Sequence, residues 1–327
     1  RLFEVTGVQT CALPILKQVL AMSIMDFSGK HFLVIGAGIS GRAASLALAG
    51  HGGSVTLNDM KAIDTAEQPW PDIKAAGVQL VFGSQETALL DGMDVVVPSP
   101  VISPEIPIMK EAARRGLPIW SEVEVACRVT DADMIGITGT NGKTTTTTLV
   151  GEIMKATGRQ TVVGGNIGYG LSAQADNLPK EAVVVAELSS FQLEFTHSIK
   201  AKAATILNIT PDHLDRHHTM EGYAAAKERI FLNQDKGDYA VLNYDDERVR
   251  AMAKDMTGTV VYFSTCGEVP KGAFYRDGQL ILRLHGQDTV VCAETDLHLF
   301  GKNNIQNCLA AILLTYAAGA PLDVIRQ

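Results

Sequence analysis

Asp133-Met-Ile-Gly-Ile-Thr-Gly-Thr-Asn-Gly-Lys-Thr-Thr-Thr-Thr-Thr-Leu-Val150 decides how the rest of the chain is read. An apolar run ends in a glycine-punctuated turn, and Lys143-Thr144 then opens a helical pattern. Such a strand–turn–helix points free backbone N–H groups and the positive end of a helix dipole at an anion. Lys143 would bring a mobile cation to the β- and γ-phosphates of a nucleotide, and the Thr144 hydroxyl stands where a Mg²⁺ ligand is usual. The strict spacing G-x-x-x-x-G-K-[ST] fails, because Ile137 occupies the first glycine position, so Gly136 and Gly139 are expected to supply the curvature. An ordinary Gly-Thr turn before a helix is the bland alternative. It is the weaker one, since a Lys-Thr pair directly after Asn-Gly at a strand end is a demanding coincidence. The expected nucleotide contacts are Gly139, Thr140, Asn141, Gly142, Lys143, Thr144 and Thr145.

Upstream, His31-Phe-Leu-Val-Ile-Gly-Ala-Gly-Ile-Ser-Gly-Arg42 reads as a strand followed by G-x-G-x-x-G at Gly36, Gly38 and Gly41, then an Ala/Leu-rich helix to about Gly50. Ser54-Val-Thr-Leu-Asn-Asp59 is the next strand and ends in an acid, which completes the first β-α-β of a Rossmann-like fold. NAD is the immediate guess for a ligand and a weak one, since the same turn serves other nucleotide-like molecules. Further strands are expected at Val78–Phe82 and from Asp94, and Pro118-Ile-Trp-Ser121 is the last apolar step before the phosphate turn. The expected architecture is α/β: an N-terminal Rossmann-like domain over 22–120 and a central P-loop α/β domain with a mostly parallel sheet over 121–327. Residues 1–21 match nothing that follows, and foreign sequence is expected there, with a disordered extension as the alternative.

Downstream, Thr161-Val-Val-Gly-Gly-Asn-Ile-Gly168 is a strand with a glycine-rich end. Two further apolar runs lead to Glu187 and to Asp212-His213. Lys143-Thr144, Asn166, Glu187 and His213 thus each follow the carboxyl end of an apolar run. In an open parallel α/β sheet those ends share one rim, where ligands bind. Glu187 alone is as readily a solvated strand-end acid as a ligand. Beside a phosphate turn it becomes a Mg²⁺ ligand, because hard oxygen donors must meet the cation that bridges phosphates. His213 considered singly is a satisfied histidine, since Mg²⁺ prefers oxygen.

Six strings now occur in order: Gly-Thr-Asn-Gly-Lys-Thr-Thr (139–145), Gly-Gly-Asn-Ile-Gly (164–168), Glu-Leu-Ser-Ser-Phe-Gln-Leu-Glu (187–194), Asn-Ile-Thr-Pro-Asp-His-Leu-Asp-Arg (208–216), Ala-Ala-Lys-Glu-Arg-Ile-Phe (225–231) and Gly-Lys-Asn-Asn-Ile-Gln-Asn (301–307). In these the chain resembles the Mur ligases of peptidoglycan synthesis over about residues 25–327. The 187–194 string is most similar to the branch that adds D-glutamate to UDP-N-acetylmuramoyl-L-alanine. The resemblance implies an ATP-dependent amide-bond ligase working through an acyl phosphate, a monomer that uses ATP, two Mg²⁺ ions, UDP-N-acetylmuramoyl-L-alanine and D-glutamate.

It also reassigns the first glycine turn from a dinucleotide to the UDP-sugar. Ile39, Ser40, Asp59, Met60, Lys61 and Ser99 match positions around the uridine and diphosphate, while Asn166, Ser189 and His213 match positions near the sugar and diphosphate. Val101 departs from the glycine usual in Ser-Pro-Gly. Asn304 and Asn307 match residues near the adenine, with Asn303 in place of a more usual His. The implied catalytic set is Lys143, Glu187, His213 and Lys227, and the implied metal ligands are Thr144, Glu187, His213 and Lys227. Helical spacing alone makes Lys227 an ordinary exposed lysine; only the resemblance implies that it is carbamylated, which would require a depressed amine pKa. A third, amino-acid-binding domain is implied after Gln327, and nucleotide binding with little ligation is expected of this chain alone. Another Mur-type ligase with a different amino acid, and a nucleotide-binding module without ligation, are the competing readings.

Bulk properties narrow the remainder. The 327 residues are 46% hydrophobic and 20% charged, with a formal net charge of −8 and no basic run, so a nucleic-acid surface is not expected. Five cysteines at 11, 127, 266, 292 and 308 form no C-x-x-C pair, which argues against a disulfide framework or zinc site and for a reducing, cytoplasmic setting. No apolar stretch is long enough for a membrane span.

Overall fold

The computed structural model describes residues 25–297 and 301–327. The expectations for residues 1–21 therefore lie outside the described residues.

Parallel strands buried on both faces need near-continuous apolar sequence, and two such groups of strands build two sheets. The first comprises β1 (His31–Ile35), β2 (Ser54–Asp59), β3 (Gln79–Phe82) and β4 (Val95–Pro98) in the order β3-β2-β1-β4, all parallel. Helix α1 (Ile39–Gly50) follows β1, α2 (Trp70–Ala75) follows β2, and α3 (Pro107–Arg114) follows β4. Since β1 pairs with both β2 and β4, the strand order reverses at its carboxyl end, which is where the glycine turn lies. Pro118-Ile-Trp adds a single parallel bridge, Val96↔Ile119, in place of a full strand.

Helix α4 (Glu122–Arg128) leads to the second sheet and packs on both. Val125 joins the apolar core of the first sheet, whereas Val123 and Ala126 join that of the second. Ser121 caps it, its hydroxyl accepting from Glu124 N at 3.0 Å.

The second sheet has nine strands in the order β13-β12-β11-β10-β9-β8-β5-β7-β6. In its core, β5 (Asp133–Thr138) lies between β7 (Val183–Glu187) and β8 (Ala201–Ile206), with β6 (Thr161–Gly165) outside β7. Alternate residues of β5 serve opposite faces. Ile135 and Ile137 pack with Val150 and Met154 of α5 (Lys143–Ala156) and with Leu309 of the long C-terminal helix, while Met134 packs with Val184 and Ala204 on the other face. Helices α6 (Leu171–Ala175), α7 (Ser190–Glu194), α8 (Leu214–His217), α9 (Met220–Glu228) and α10 (Glu247–Ala251) connect the strands that follow β6. Helix α11 (Lys302–Ala317) is buried against α5 and β8 to β11, and α12 (Leu322–Ile325) ends the chain.

The sequence reading assigned no strands between the helix carrying Lys227 and α11, and the structure has five there. Strands β9 (Tyr239–Asn243), β10 (Thr259–Ser264) and β11 (Gly272–Arg276) extend the parallel sheet; β12 (Gln279–Leu284) and β13 (Gln287–Ala293) close it as an antiparallel meander. Their turns carried a readable signal: Asp277-Gly278 and His285-Gly286 place two successive residues at positive φ (50° and 76°, 52° and 75°), as a tight hairpin demands.

Candidate active site

Of the two glycines expected to curve the phosphate turn, only Gly139 does so. Gly139 has φ 154° and Gly142 φ 87°, whereas Gly136 lies inside β5, where a side chain would press on Ile230 at 3.0 Å. A Cβ on Gly142 would collide with the Asn307 side chain, so this turn closes against α11 only because residue 142 has none. Helix α5 begins at Lys143, and its first-turn amides have no intrahelical acceptor. The turn is braced from β8: Thr140 N donates to Asn208 O (3.0 Å), and the Asn208 side chain accepts from Asn141 N (2.8 Å) and donates to Asn141 O (3.0 Å).

Two lysines meet under this turn. Lys143 Nζ donates to Gly139 O and Thr140 O, both at 2.9 Å, and Lys227 Nζ donates to the same Gly139 O at 2.9 Å. Lys227 is 2% exposed, which corrects the reading that helical spacing alone supported. It sits near the end of α9, which stops at Glu228 and tightens into a 3₁₀ turn at Arg229–Phe231. Burial, and then the neighbouring Lys143 charge, lower the Lys227 pKa to about 7. Burial also lowers that of Lys143.

At the end of β7, Glu187 is buried, and its two carboxylate oxygens are divided between partners. Oε2 accepts from Thr144 Oγ1 at 2.9 Å and Oε1 from Asn166 Nδ2 at 3.0 Å. His213, at φ 50°, caps α8. Its ring lies 4.8 Å from Phe191 and 6.3 Å from Tyr223, and the Tyr223 ring is 4.7 Å from Lys227 Nζ. Lys143, Thr144, Glu187, Lys227 and His213 therefore share the carboxyl rim of β5, β7 and β8, with Asn166 joined to them through Glu187. Ser189 lies on the same rim, but its hydroxyl is engaged in a capping box with Gln192.

Tyr223 and Asn208 were not singled out in the sequence. Tyr223 is 1% exposed and its hydroxyl meets Thr140 Oγ1 at 3.2 Å, so it links the phosphate turn to Lys227 one helical turn away. That i, i+4 spacing was the available signal. Asn304 and Asn307 line a cavity of about 440 Å³ with Asn141, Gly142, Thr145 and Asn303, beside the phosphate turn.

The other expected contacts gather at the first glycine turn. Gly36 has φ 97°, and Ser99 Oγ donates to its carbonyl at 3.1 Å. Asp59 Oδ2 accepts from Ala37 N (2.8 Å) and Oδ1 from Lys61 N (2.9 Å), so this carboxylate splints the turn. Ile39 and Met60 are exposed at its mouth and Ser40 is half-buried. Val101 is 83% exposed and outside the left-handed region, so its side chain leaves the local backbone open.

As a site for a divalent cation, Thr144 and Glu187 fit: both present hard oxygens, and Mg²⁺ commonly takes only one or two protein donors besides phosphate and water. His213 with unmodified Lys227 does not fit a second ion, since two ammonium groups crowd Gly139 O. Among the described residues, no three His, Cys, Asp or Glu side chains cluster as a metal site. No helix among them is long and apolar enough to cross a membrane, and Cys127, Cys266, Cys292 and Cys308 are free thiols.

Two largely parallel sheets, each with a glycine turn at its topological switch point and one with a lysine directly after that turn, define a two-sheet α/β fold of the kind that binds nucleotides. Residues 137–315 match the Mur ligase middle domain, and the chain belongs to the Mur ligase family. It is 43% identical over 296 residues to the UDP-N-acetylmuramoylalanine--D-glutamate ligase of Pelotomaculum thermopropionicum, covering 90% of this chain and 65% of that one. To the enzyme of the same name from Desulfitobacterium hafniense (strain Y51) it is 44% identical over 307 residues, covering 93% and 66%. The chain thus spans just under two thirds of the length of these curated relatives. Among solved structures, the UDP-N-acetylmuramate:L-alanyl-gamma-D-glutamyl-meso-diaminopimelate ligase from Neisseria meningitides has the same fold, with TM-score 0.61 at 19% identity over 90% of this chain and 96% of that one.

Proposed function

We propose that this chain carries the nucleotide and UDP-sugar sites of an ATP-dependent ligase that joins D-glutamate to UDP-N-acetylmuramoyl-L-alanine in peptidoglycan synthesis. On this reading residues 22–120 form the UDP-substrate domain and 121–327 the ATP domain. The observation that carries it is the pair of lysines on one carbonyl, Gly139 O, at the rim that also holds Thr144 and Glu187. Names of relatives above 40% identity support the choice of D-glutamate.

A carboxylate does not react with an amine until one oxygen becomes a leaving group. The L-alanyl carboxylate would attack the γ-phosphorus of ATP, breaking its bond to the bridging oxygen and releasing ADP. The D-glutamate nitrogen would then attack the acyl carbon, phosphate would leave with the bonding electron pair, and the amine would lose its proton to solvent. The protein's share is positioning and charge neutralisation. Lys143 would exchange the Gly139 and Thr140 carbonyls for phosphate oxygens, first-turn amides of α5 would hold the β-phosphate, and Asn304 and Asn307 would line the adenine cavity. Thr144 and Glu187 would hold Mg²⁺, which when bound neutralises phosphate charge. The neutral Lys227 amine, populated near pH 7, would add to CO₂ with loss of one proton. The resulting carbamate would turn the crowded cation pair into an ion pair with Lys143 and give His213 an oxygen-donor companion for a second Mg²⁺. Glycine-turn amides and Ser40 would take the diphosphate.

Calorimetric titration with UDP-N-acetylmuramoyl-L-alanine, a non-hydrolysable ATP analogue with Mg²⁺, and NADH tests the reading. Binding of the first two and not the third is expected. NADH displacing UDP from the glycine turn would overturn it. ¹³C-bicarbonate should yield a carbamate carbon resonance that Lys227→Met abolishes.

A further inference from the structure

Glycine turn and phosphate turn belong to different sheets, yet one short segment, 166–172, touches the machinery of both. At its start, Asn166 N donates to Glu187 O (2.8 Å) and Asn166 Nδ2 to Glu187 Oε1 (3.0 Å), so this residue orients the carboxylate whose other oxygen meets Thr144. Four residues on, Gly170 is wedged against the first turns of α1. A Cβ there would collide with Ala43 Cβ and would stand 3.6 Å from Ile39 O and 3.1 Å from Glu122 Oε1. At the end of the segment, Ser172 N and Oγ both donate to Glu122 Oε1, at 2.5 and 2.6 Å. Glu122 is 1% exposed, and its Oε2 has no hydrogen-bond partner in the described residues. The far end of α6 is also tied to α1, through Asp176 Oδ1 and His51 Nε2 at 2.7 Å. A buried carboxyl with one oxygen unpaired is costly to keep, so this anchor is not explained by stability.

We propose that segment 166–172, pinned by Glu122, couples the two ligand sites, with Gly170 and Glu122 as positioning residues. The segment is short and anchored at both ends, so a shift of one end is transmitted to the other. Ligand on the glycine turn bears on Ile39 and Ala43, these bear on Gly170, and the displacement reaches Asn166 and with it Glu187 beside Thr144. Occupancy of one turn changes the fit of the other, and the effect is reciprocal. This inference rests on the ligand assignment proposed above.

The experiment is a calorimetric thermodynamic box: Mg²⁺ with a non-hydrolysable ATP analogue titrated with and without saturating UDP, and the converse. In the unaltered chain each ligand should change the other's affinity by the same factor, about fivefold or more. Glu122→Ala, Ser172→Ala and Gly170→Ala should bring that factor close to one while each ligand alone binds within about threefold of its original affinity. Glu122→Gln retains an oxygen to accept from Ser172 and should restore the coupling, a rescue that a general loss of stability would not produce. Circular dichroism identifies the variants that fold, and the Glu122 pair decides if Gly170→Ala does not. Both ligands binding independently in the unaltered chain overturns the coupling and leaves the ligand assignment standing, as does full coupling in the folded Ala variants. Failure of the unaltered chain to bind either ligand overturns the assignment and the coupling together.

Discussion

The turn after β1 and the turn after β5 have one design, a parallel strand at a switch point, a glycine at positive φ and a helix opening toward the ligand, and they differ in charge. At the first, the Asp59 carboxylate holds backbone amides in place, and a single guanidinium, that of Arg42, reaches Ala37 O at 3.4 Å. At the second, two lysine ammonium groups share one carbonyl in a buried setting. Backbone geometry suffices to seat a phosphate. The second turn carries Lys143 on its own helix and meets a further lysine, Lys227, brought in by α9 from 88 residues beyond Gly139.

The contrast has a stability signature, and Lys227 should show it most. Its pKa is about 7 in the fold against 10.5 for an ordinary lysine, so the unfolded chain binds the extra proton. Stability is therefore lost as pH falls from about 10.5 to 7, and the cost is fully present below that, roughly 5 kcal/mol. In CO₂-depleted buffer, Lys227→Met should be more stable than the parent by about that amount at pH 6, the gap narrowing toward pH 10 in urea denaturation. A constant gap would place Lys227 outside any low-dielectric site.

Glu122, between the two turns, has the opposite linkage. Burial raises its pKa from 4.5 to about 7, so the fold binds the proton more tightly, and stability present below pH 4.5 is lost as pH rises through 7. Glu122→Gln should be the more stable form at pH 8 by about 3 kcal/mol and equal to the parent near pH 4.

Lys143→Ala sharpens the contrast between ligands. It should weaken binding of Mg²⁺ with the ATP analogue by about 100-fold and leave UDP affinity within about threefold. Equal losses for both ligands would erase the distinction between the turns. Asp59→Ala reverses the pattern at smaller scale, weakening UDP about tenfold through a loosened turn while sparing the ATP analogue. Loss of the ATP analogue instead would mean that Asp59 serves the other site.

Much of the architecture was legible because it depends on near neighbours. Continuous apolar runs and glycine spacing mark β1, β2, β5, β7 and β8 and the helices that follow β1 and β5. The Asp-Gly and His-Gly turns of the β11–β13 meander were equally local and were passed over. Gly136 was misread because a glycine in a strand gives no sign whether it bends the chain or makes room for a neighbour, here Ile230. Lys227 was illegible from spacing for a different reason. Its helix shows exposed and buried faces only weakly, and what buries it is the phosphate turn folded over it.

Two glycine turns and the largely parallel sheets behind them were determined by the sequence itself, since apolar runs, helix starts and positive-φ glycines are set by residues within a few positions of one another. Tertiary structure alone decided that Lys227 would lie buried beside Lys143, that Glu187 would be shared between Thr144 and Asn166, and that Glu122 would anchor the segment joining the turns. Desolvation and the pairing of charges depend on which distant parts of the chain exclude water from a group, and no local pattern encodes that.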